Sequence, residues 1–335
     1  PILQITSRRT RLFLAVTSPS TIQRLTTSNE KSQSSSNSNN MRVLITGGSG
    51  LVGWDLVQKG CQRGCDVTYT YYSNEVTHTN AQGIELNVCD GERVAETIRE
   101  VQPHVVIHTA ALVDVDVCEE RPDLARSVNV HGTRNVASVC QDIGCRMVLF
   151  SSSFVFSGTQ DSYKEDDARN PINVYGQTKV DAEDIISKLS EAIIIRTDQP
   201  YAIPEDWQSD TMVSWTLSKL QQNEKVRVFH DWYNNPILLR DLAEITFDLI
   251  RSEESGIFHV AGPDFISRYE WAKQIATAFG YSGSRILANS AKDVELEAER
   301  PNANLRTEKI DRTVNRKISD TVSGIWTLVN TTGLC

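Results

Sequence analysis

Thr46-Gly47-Gly48-Ser49-Gly50-Leu51-Val52-Gly53 follows the apolar run Val43-Leu44-Ile45 and precedes an apolar-periodic stretch. Strand, glycine-rich turn and helix are therefore read in one short segment. Gly47 allows the tight turn, Gly50 lets the backbone approach a phosphate with no Cβ in the way, and Gly53 lets the new helix pack closely on the strand. An anion placed there meets unpaired N–H groups and the positive end of the helix dipole. Three glycines alone also suit a plain tight connection; their placement between strand and helix favours the pyrophosphate of a dinucleotide.

Outward from this segment, short apolar runs alternate with longer amphipathic stretches, the pattern of repeated βα units on a parallel sheet. The predicted strands are 42–46, 66–70, 83–86, 104–108, 146–151 and 192–196, with a last one at 256–260. Helices are predicted over 52–63, 91–101, 122–143 and 174–189, the third opening on Pro122, where a missing N–H costs little. After Arg196 the alternation fails, and the polar, tryptophan-bearing stretch from Asp198 to Pro236 reads as insertions and loops. The fold expected is α/β, a Rossmann-type doubly wound parallel sheet with a smaller C-terminal substrate lobe. Its expected divisions are residues 41–197, 198–330 with 256–262 returning to the sheet, and an N-terminal segment over 1–40.

That segment sets Arg8, Arg9, Arg11, Arg24 and Lys31 against one acid, Glu30, and ends in a Ser/Asn-rich run. Such composition predicts disorder, and it is similar to that of an organellar transit peptide. Met41, directly before the first strand, gives the other reading, a stretch upstream of the true start. The location expected is cytoplasmic, or organellar if residues 1–40 are a targeting signal.

A formal net charge of −9 argues against a nucleic-acid partner, which calls for a basic face. The 7 cysteines are scattered with no Cys-x-x-Cys pair, and the histidines are dispersed, so no metal is proposed and a reducing compartment is expected. No apolar run approaches the roughly 18 to 20 residues that span a bilayer, so no membrane partner is expected.

Tyr175 and Lys179 stand four apart at the start of a predicted helix and share one face. An ammonium beside a phenol favours the phenolate and is expected to pull its pKa down, toward a range useful for proton transfer. Tyr269 and Lys273 repeat the spacing, so at least one copy is structural. Tyr175 lies one crossover beyond the strand ending in Ser151-Ser152-Ser153, near the strand tips where ligands of such sheets bind, and Tyr269 does not. A serine at that tip can hold a substrate carbonyl, or merely cap a turn.

With these residues in line, the chain from Met41 to about Ile325 resembles the extended short-chain dehydrogenases/reductases, and within them the dTDP-4-dehydrorhamnose reductase family. The resemblance is carried by Leu44-Ile-Thr-Gly-Gly-Ser-Gly-Leu-Val-Gly-Trp54, His108-Thr-Ala-Ala111, Asn129-Val-His-Gly-Thr133, Phe150-Ser-Ser-Ser-Phe-Val-Phe156, Asn173-Val-Tyr-Gly-Gln-Thr-Lys179 and Phe258-His-Val-Ala-Gly-Pro263. It implies a catalytic Ser152, a proton-donating Tyr175, and a Lys179 that holds the nicotinamide ribose. It also implies a coenzyme cradle of Gly47, Gly50, Leu51, Val52 and Gly53, with Asn87 and Val88 near adenine, His108, Ala110 and Ala111 along the coenzyme, and Asn129 as support. Ser153, Pro200 and Tyr201 are the expected substrate contacts. Two departures bear on the substrate: an acid and a hydroxyl of the family are lost at Ser153-Phe154, and the family's aromatic contact after the sixth strand gives way to Arg196-Thr-Asp-Gln-Pro-Tyr201.

No Asp or Glu stands at the tip of the second strand, which tilts the coenzyme toward NADP, with Ser73 able to donate to a 2′-phosphate; NAD stays open. The activity implied is an NAD(P)H-dependent reductase of a nucleotide-activated keto sugar. Open alternatives are a sugar-nucleotide epimerase or dehydratase of the same superfamily, and a non-catalytic regulatory subunit similar to the β subunit of methionine adenosyltransferase. A homodimer is a possible assembly that the sequence does not decide.

Overall fold

A computed structural model describes residues 40–78 and 80–332. The expectations about residues 1–40 fall, save Asn40, outside the described residues. Seven parallel strands form the central sheet: β1 (Arg42–Thr46), β2 (Asp66–Tyr71), β3 (Ala81–Glu85), β4 (Val105–His108), β5 (Arg146–Ser152), β6 (Ile193–Thr197) and β11 (Gly256–His259). Their order, β11-β6-β5-β4-β1-β2-β3, reverses between β1 and β4, and a crevice opens beyond the carboxyl ends of the strands at such a reversal.

Both faces of the sheet are covered. Val43, Ile45, Ile107, Val148, Ile193 and Ile195 point to one side and pack with α1 (Leu51–Gln62) and α8 (Leu239–Arg251). Leu44, Val106, Met147, Leu149 and Ile194 point to the other, against α2 (Gly91–Val101), α5 (Gly132–Ile143) and α6 (Val174–Ile186). Strands buried on both faces read as continuous apolar runs, which is why they stand out in the sequence.

The helix predicted over 122–143 is broken. α3 (Val115–Glu120) is followed by α4 (Pro122–Arg126), a wide π turn over Ser127–His131, and then α5. The π turn sets Asn129 inward, where it is 2 % exposed; wide turns of this kind gather at functional sites.

The stretch expected to be loops holds α7 (Met212–Gln221), whose entry is fixed by Thr211 and Ser214 in reciprocal capping bonds. Three short ladders frame it: β7 (Pro200–Tyr201) with β10 (Ile237–Leu238), β8 (Val226–Phe229) with β13 (Ile286–Asn289), and β9 (Tyr233–Asn234) with β12 (Ile266–Ser267). With α9 (Arg268–Ala278), α10 (Glu308–Thr313) and α11 (Thr321–Thr332) they build the C-terminal part of the chain. Among the described residues no helix is long and apolar enough to cross a membrane.

Candidate active site

The glycine turn leaves no room for side chains. Gly47 has φ +72°, and a Cβ there would lie 2.8 Å from the Ala110 backbone; one on Gly53 would lie 2.2 Å from the Gly47 carbonyl oxygen. Gly50 caps α1 without a side chain, so the N–H groups of Leu51, Val52 and Gly53 open the helix with no partner of their own. A cradle stripped of Cβ atoms at a helix start fits a pyrophosphate.

A cavity of about 360 Å³ runs from this turn to the tips of β5 and β6. Gly47, Gly50, Leu51, Val52, Gly53 and Ala111 line one end, and Ser152, Tyr175, Lys179, Asp198 and Pro200 the other. Helix α6 sets the trio. Asn173 caps it by accepting the Gly176 N–H at 2.7 Å, which turns Tyr175 and Lys179 toward the sheet. Lys179 Nζ donates to the Phe150 carbonyl at 3.1 Å and lies 5.6 Å from the centre of the Tyr175 ring. Ser152 lies beside the phenol.

The electrostatics differ from the expectation that lysine would pull the phenol's pKa down. Burial pushes Tyr175 above the ordinary phenol value; neighbouring Ser152 works against this, and Cys118 and Asp198 add to it. Burial also lowers Lys179 to about 8, against smaller opposing effects of Cys118 and Glu183. Both groups lose water on entering the protein, and desolvation penalises the charged form of each. A phenol so held is protonated at neutral pH, the state a proton donor needs.

The three adjacent serines have three separate neighbours. Ser151 Oγ donates to Glu183 Oε1 at 2.5 Å, while Ser152 lies beside Tyr175 and Ser153 beside Asp198. Ser152 also caps the following turn, accepting the Phe154 N–H at 3.3 Å, as the capping reading of this serine expects.

Other predicted residues take varied places. Asn129 accepts the Leu112 N–H at 2.7 Å and donates to Thr178 at 3.0 Å, tying the loop after β4 to α6. His108 is buried between Thr46 at 2.7 Å and Thr133 at 3.2 Å, and burial drops its pKa to about 3, so it bridges the core as a neutral ring. Ala110 faces Gly47, while Val88 is buried beneath Gly132. Ser73 and Asn87 are exposed and lie beyond the cavity lining. Tyr201 departs from its expected place: it is 1 % exposed, packed edge-on against Trp271 at 5.3 Å, and absent from the cavity wall. Successive residues of an extended segment face opposite ways, so Pro200 reaches the cavity and Tyr201 the core. The second pair, Tyr269 and Lys273, also lies off this cavity; Lys273 lines a separate hollow beside Trp326.

Two features had no signal in spacing or composition. The segment between β7 and α7 folds back on the glycine turn: Trp207 Nε1 donates to the Ser49 carbonyl at 3.1 Å, Gln208 Nε2 to the Gly50 carbonyl at 3.2 Å, and Asn74 Nδ2 to the Trp207 carbonyl at 3.2 Å. A second cavity of about 510 Å³ adjoins the first, sharing Leu51, Gln199 and Pro200, and is lined by Trp215, Phe229, Arg227 and Arg268.

A doubly wound parallel sheet whose glycine turn and Tyr–Lys helix open into one cleft defines the extended short-chain dehydrogenase/reductase class. Within it, the chain belongs to the RmlD substrate binding domain family, which matches residues 41–332. It is similar to the probable low-salt glycan biosynthesis reductase Agl14 of Haloferax volcanii, 30% identical over 265 residues that cover 78% of this chain and 88% of that one. It is also similar to methionine adenosyltransferase 2 subunit beta of Rattus norvegicus, 31% identical over 286 residues covering 81% of each. Among solved structures, dTDP-4-dehydrorhamnose reductase of Bacillus anthracis in complex with NADP matches with a TM-score of 0.78 and 25% identity, covering 88% of this chain and 100% of that one.

Proposed function

We propose that the protein is an NAD(P)H-dependent reductase of a nucleotide-activated keto sugar, similar to dTDP-4-dehydrorhamnose reductase. One observation carries this reading: the coenzyme-type cradle at Gly47–Gly53 and the Ser152, Tyr175, Lys179 trio share a single cavity. A bound nicotinamide coenzyme supplies the hydride. Ser152 orients the substrate carbonyl and Tyr175, held protonated by its burial, gives the proton to the carbonyl oxygen. Lys179, anchored on the Phe150 carbonyl, would hold the ribose of a bound coenzyme.

The adjoining cavity suits the rest of such a substrate. Arg227 and Arg268 offer positive charge to a diphosphate, and Trp215 and Phe229 offer aromatic surface to a base. The relative complexed with NADP and the lack of an acid at the tip of β2 support NADP as the preferred coenzyme. Incubation with NADPH or NADH and a panel of nucleotide-linked 4-keto sugars, followed at the coenzyme's absorbance with product identification, tests the reading. Stoichiometric coenzyme consumption is expected.

A second reading is favoured by the 31% identity to a methionine adenosyltransferase β subunit: a regulatory partner with an unused site. Co-purification with a synthetase, with no turnover of any keto sugar, would replace the first reading by this one.

A further inference from the structure

Helix α5 ends in a left-handed turn that leads the chain straight into β5. Gly144 has φ +70°, its N–H and that of Cys145 both reach the Cys140 carbonyl, the latter at 3.0 Å, and β5 starts at Arg146. In a helix exit of this kind the residue after the left-handed glycine sits against the one that accepts its N–H, and their side chains meet. Here both are cysteines, and both thiols are free. The hydrogen bond between their backbones keeps the two Cα atoms within about 7 Å, the limit for a disulfide. Cys140, 1 % exposed, belongs to the apolar cluster on the α2, α5 and α6 face of the sheet, and half-buried Cys145 packs against it.

The corner between α1 and β2 is built the same way. Gly64 has φ +73°, and the Cys65 N–H reaches the Gly60 carbonyl at 3.0 Å, so a glycine stands there in the place of Cys140. The other thiol of that helix end, Cys61, donates to the Asn80 carbonyl at 3.3 Å. Backbone geometry therefore does not require the paired cysteines of the α5 corner. The pairing also changes the more exposed thiol: neighbouring Cys140 lowers Cys145 below its ordinary value, against the effect of burial, whereas burial raises Cys65 in spite of Arg251 and Arg63 nearby. The thiolate is the nucleophile, so of two half-buried cysteines in like corners Cys145 is the more reactive.

We propose that Cys140 and Cys145 form a thiol–disulfide modification site whose oxidant is a hydroperoxide. The Cys145 thiolate attacks a peroxide oxygen, the O–O bond breaks, and the departing hydroxide takes up the proton that Cys145 released. The Cys140 sulfur then displaces the hydroxyl of the resulting sulfenic acid, the S–S bond forms, and the Cys140 proton leaves with that hydroxyl as water. The two thiols together pass two electrons to one peroxide, and exchange with a dithiol reverses the change. The pair stands before the first residue of β5, whereas Ser152 is its last, so the site is remote from the cleft and does not rest on the reductase reading.

In the test, the full chain is reduced, treated with hydrogen peroxide, then denatured, alkylated and digested with trypsin without further reduction. Cleavage after Arg134 and Arg146 releases a peptide that holds Cys140 and Cys145 and no other cysteine. Mass spectrometry is expected to find this peptide two hydrogens lighter and unalkylated, and to find both thiols alkylated again after a dithiol is added. Cys145 is expected to lose its free thiol at least about fivefold faster than Cys65. Cys140→Ala is expected to abolish the two-hydrogen loss and to bring the rate at Cys145 within about twofold of that at Cys65. Alkylation of both thiols in the wild-type peptide while other cysteines oxidise would overturn the proposal. A bridge from Cys145 to a different cysteine would do the same, as would a rate at Cys145 that Cys140→Ala leaves unchanged. The wild-type peptide alone decides the matter if the variant does not fold.

Discussion

Lys179 sits within the fold as an ammonium with one carbonyl partner, and this sets how the protein responds to alkali. Its pKa is about 8 in the folded chain against an ordinary value of 10.5. Between those values the unfolded chain holds a proton that the folded chain has released, so stability rises with pH across that window; below about 8 both states are protonated and the gain is absent. Urea unfolding at pH 7.5 and 9.5 should therefore show wild type gaining about 1 to 2 kcal/mol relative to Lys179→Met, which has no charge to lose. An identical gap at the two pH values would mean that the amine is not desolvated as described. The same desolvation explains why the neighbouring phenol rises where spacing alone suggested it would fall. Spacing reports proximity, and burial decides its sign.

Helix α6 is fixed at both ends, and its rear fastening was invisible in the sequence. Glu183, one turn past Lys179, accepts from Arg196 Nε at 2.9 Å and from its terminal nitrogen at 2.8 Å, and also receives Ser151 and Arg169. Both partners of the Glu183–Arg196 pair are 1 % exposed. Glu183→Gln leaves the Arg196 charge buried without its counter-ion and should cost about 3 to 5 kcal/mol, read as a lower denaturation midpoint. Replacing both partners by leucine should recover much of that loss; no recovery would show that the pair does not act as a unit. The segment between β7 and α7 is the second fastening, with the Trp207 and Gln208 donors on the Ser49 and Gly50 carbonyls. Since each neutral bond contributes about 1 kcal/mol, Trp207→Ala should weaken NADPH binding about fivefold or more in a fluorescence titration. Unchanged affinity would mean that the turn keeps its shape without the indole.

At the scale of the whole molecule, what could be read from the sequence was what neighbours in the chain decide. Continuous apolar runs marked the strands because both faces are covered, and the glycine turn declared itself by lying between strand and helix. Tyr175 and Lys179 were visible because helical spacing puts them on one face. The rest is non-local. Asp198 meets Asn234 across 36 residues and Trp207 meets Ser49 across 158, distances at which spacing carries no information. Helix α7 was hidden because only Val213, Thr216, Leu217 and Leu220 are buried, in a stretch whose overall polarity reads as loop. Tyr201 turns into the core against Trp271, because nearness in sequence to the cleft says nothing of which way an extended residue faces. The central claim joins these scales: one cavity brings a protonated phenol to a reducible sugar beside a coenzyme seated on the glycine turn. The most direct measurement is turnover of a nucleotide-linked 4-keto sugar with NADPH by wild type and Tyr175→Phe, with NADPH affinity measured for both. The account expects consumption by wild type and a fall in kcat of about 10² to 10⁴-fold in the variant, with affinity nearly unchanged. A Tyr175→Phe protein that reduces the sugar as fast as wild type would contradict it.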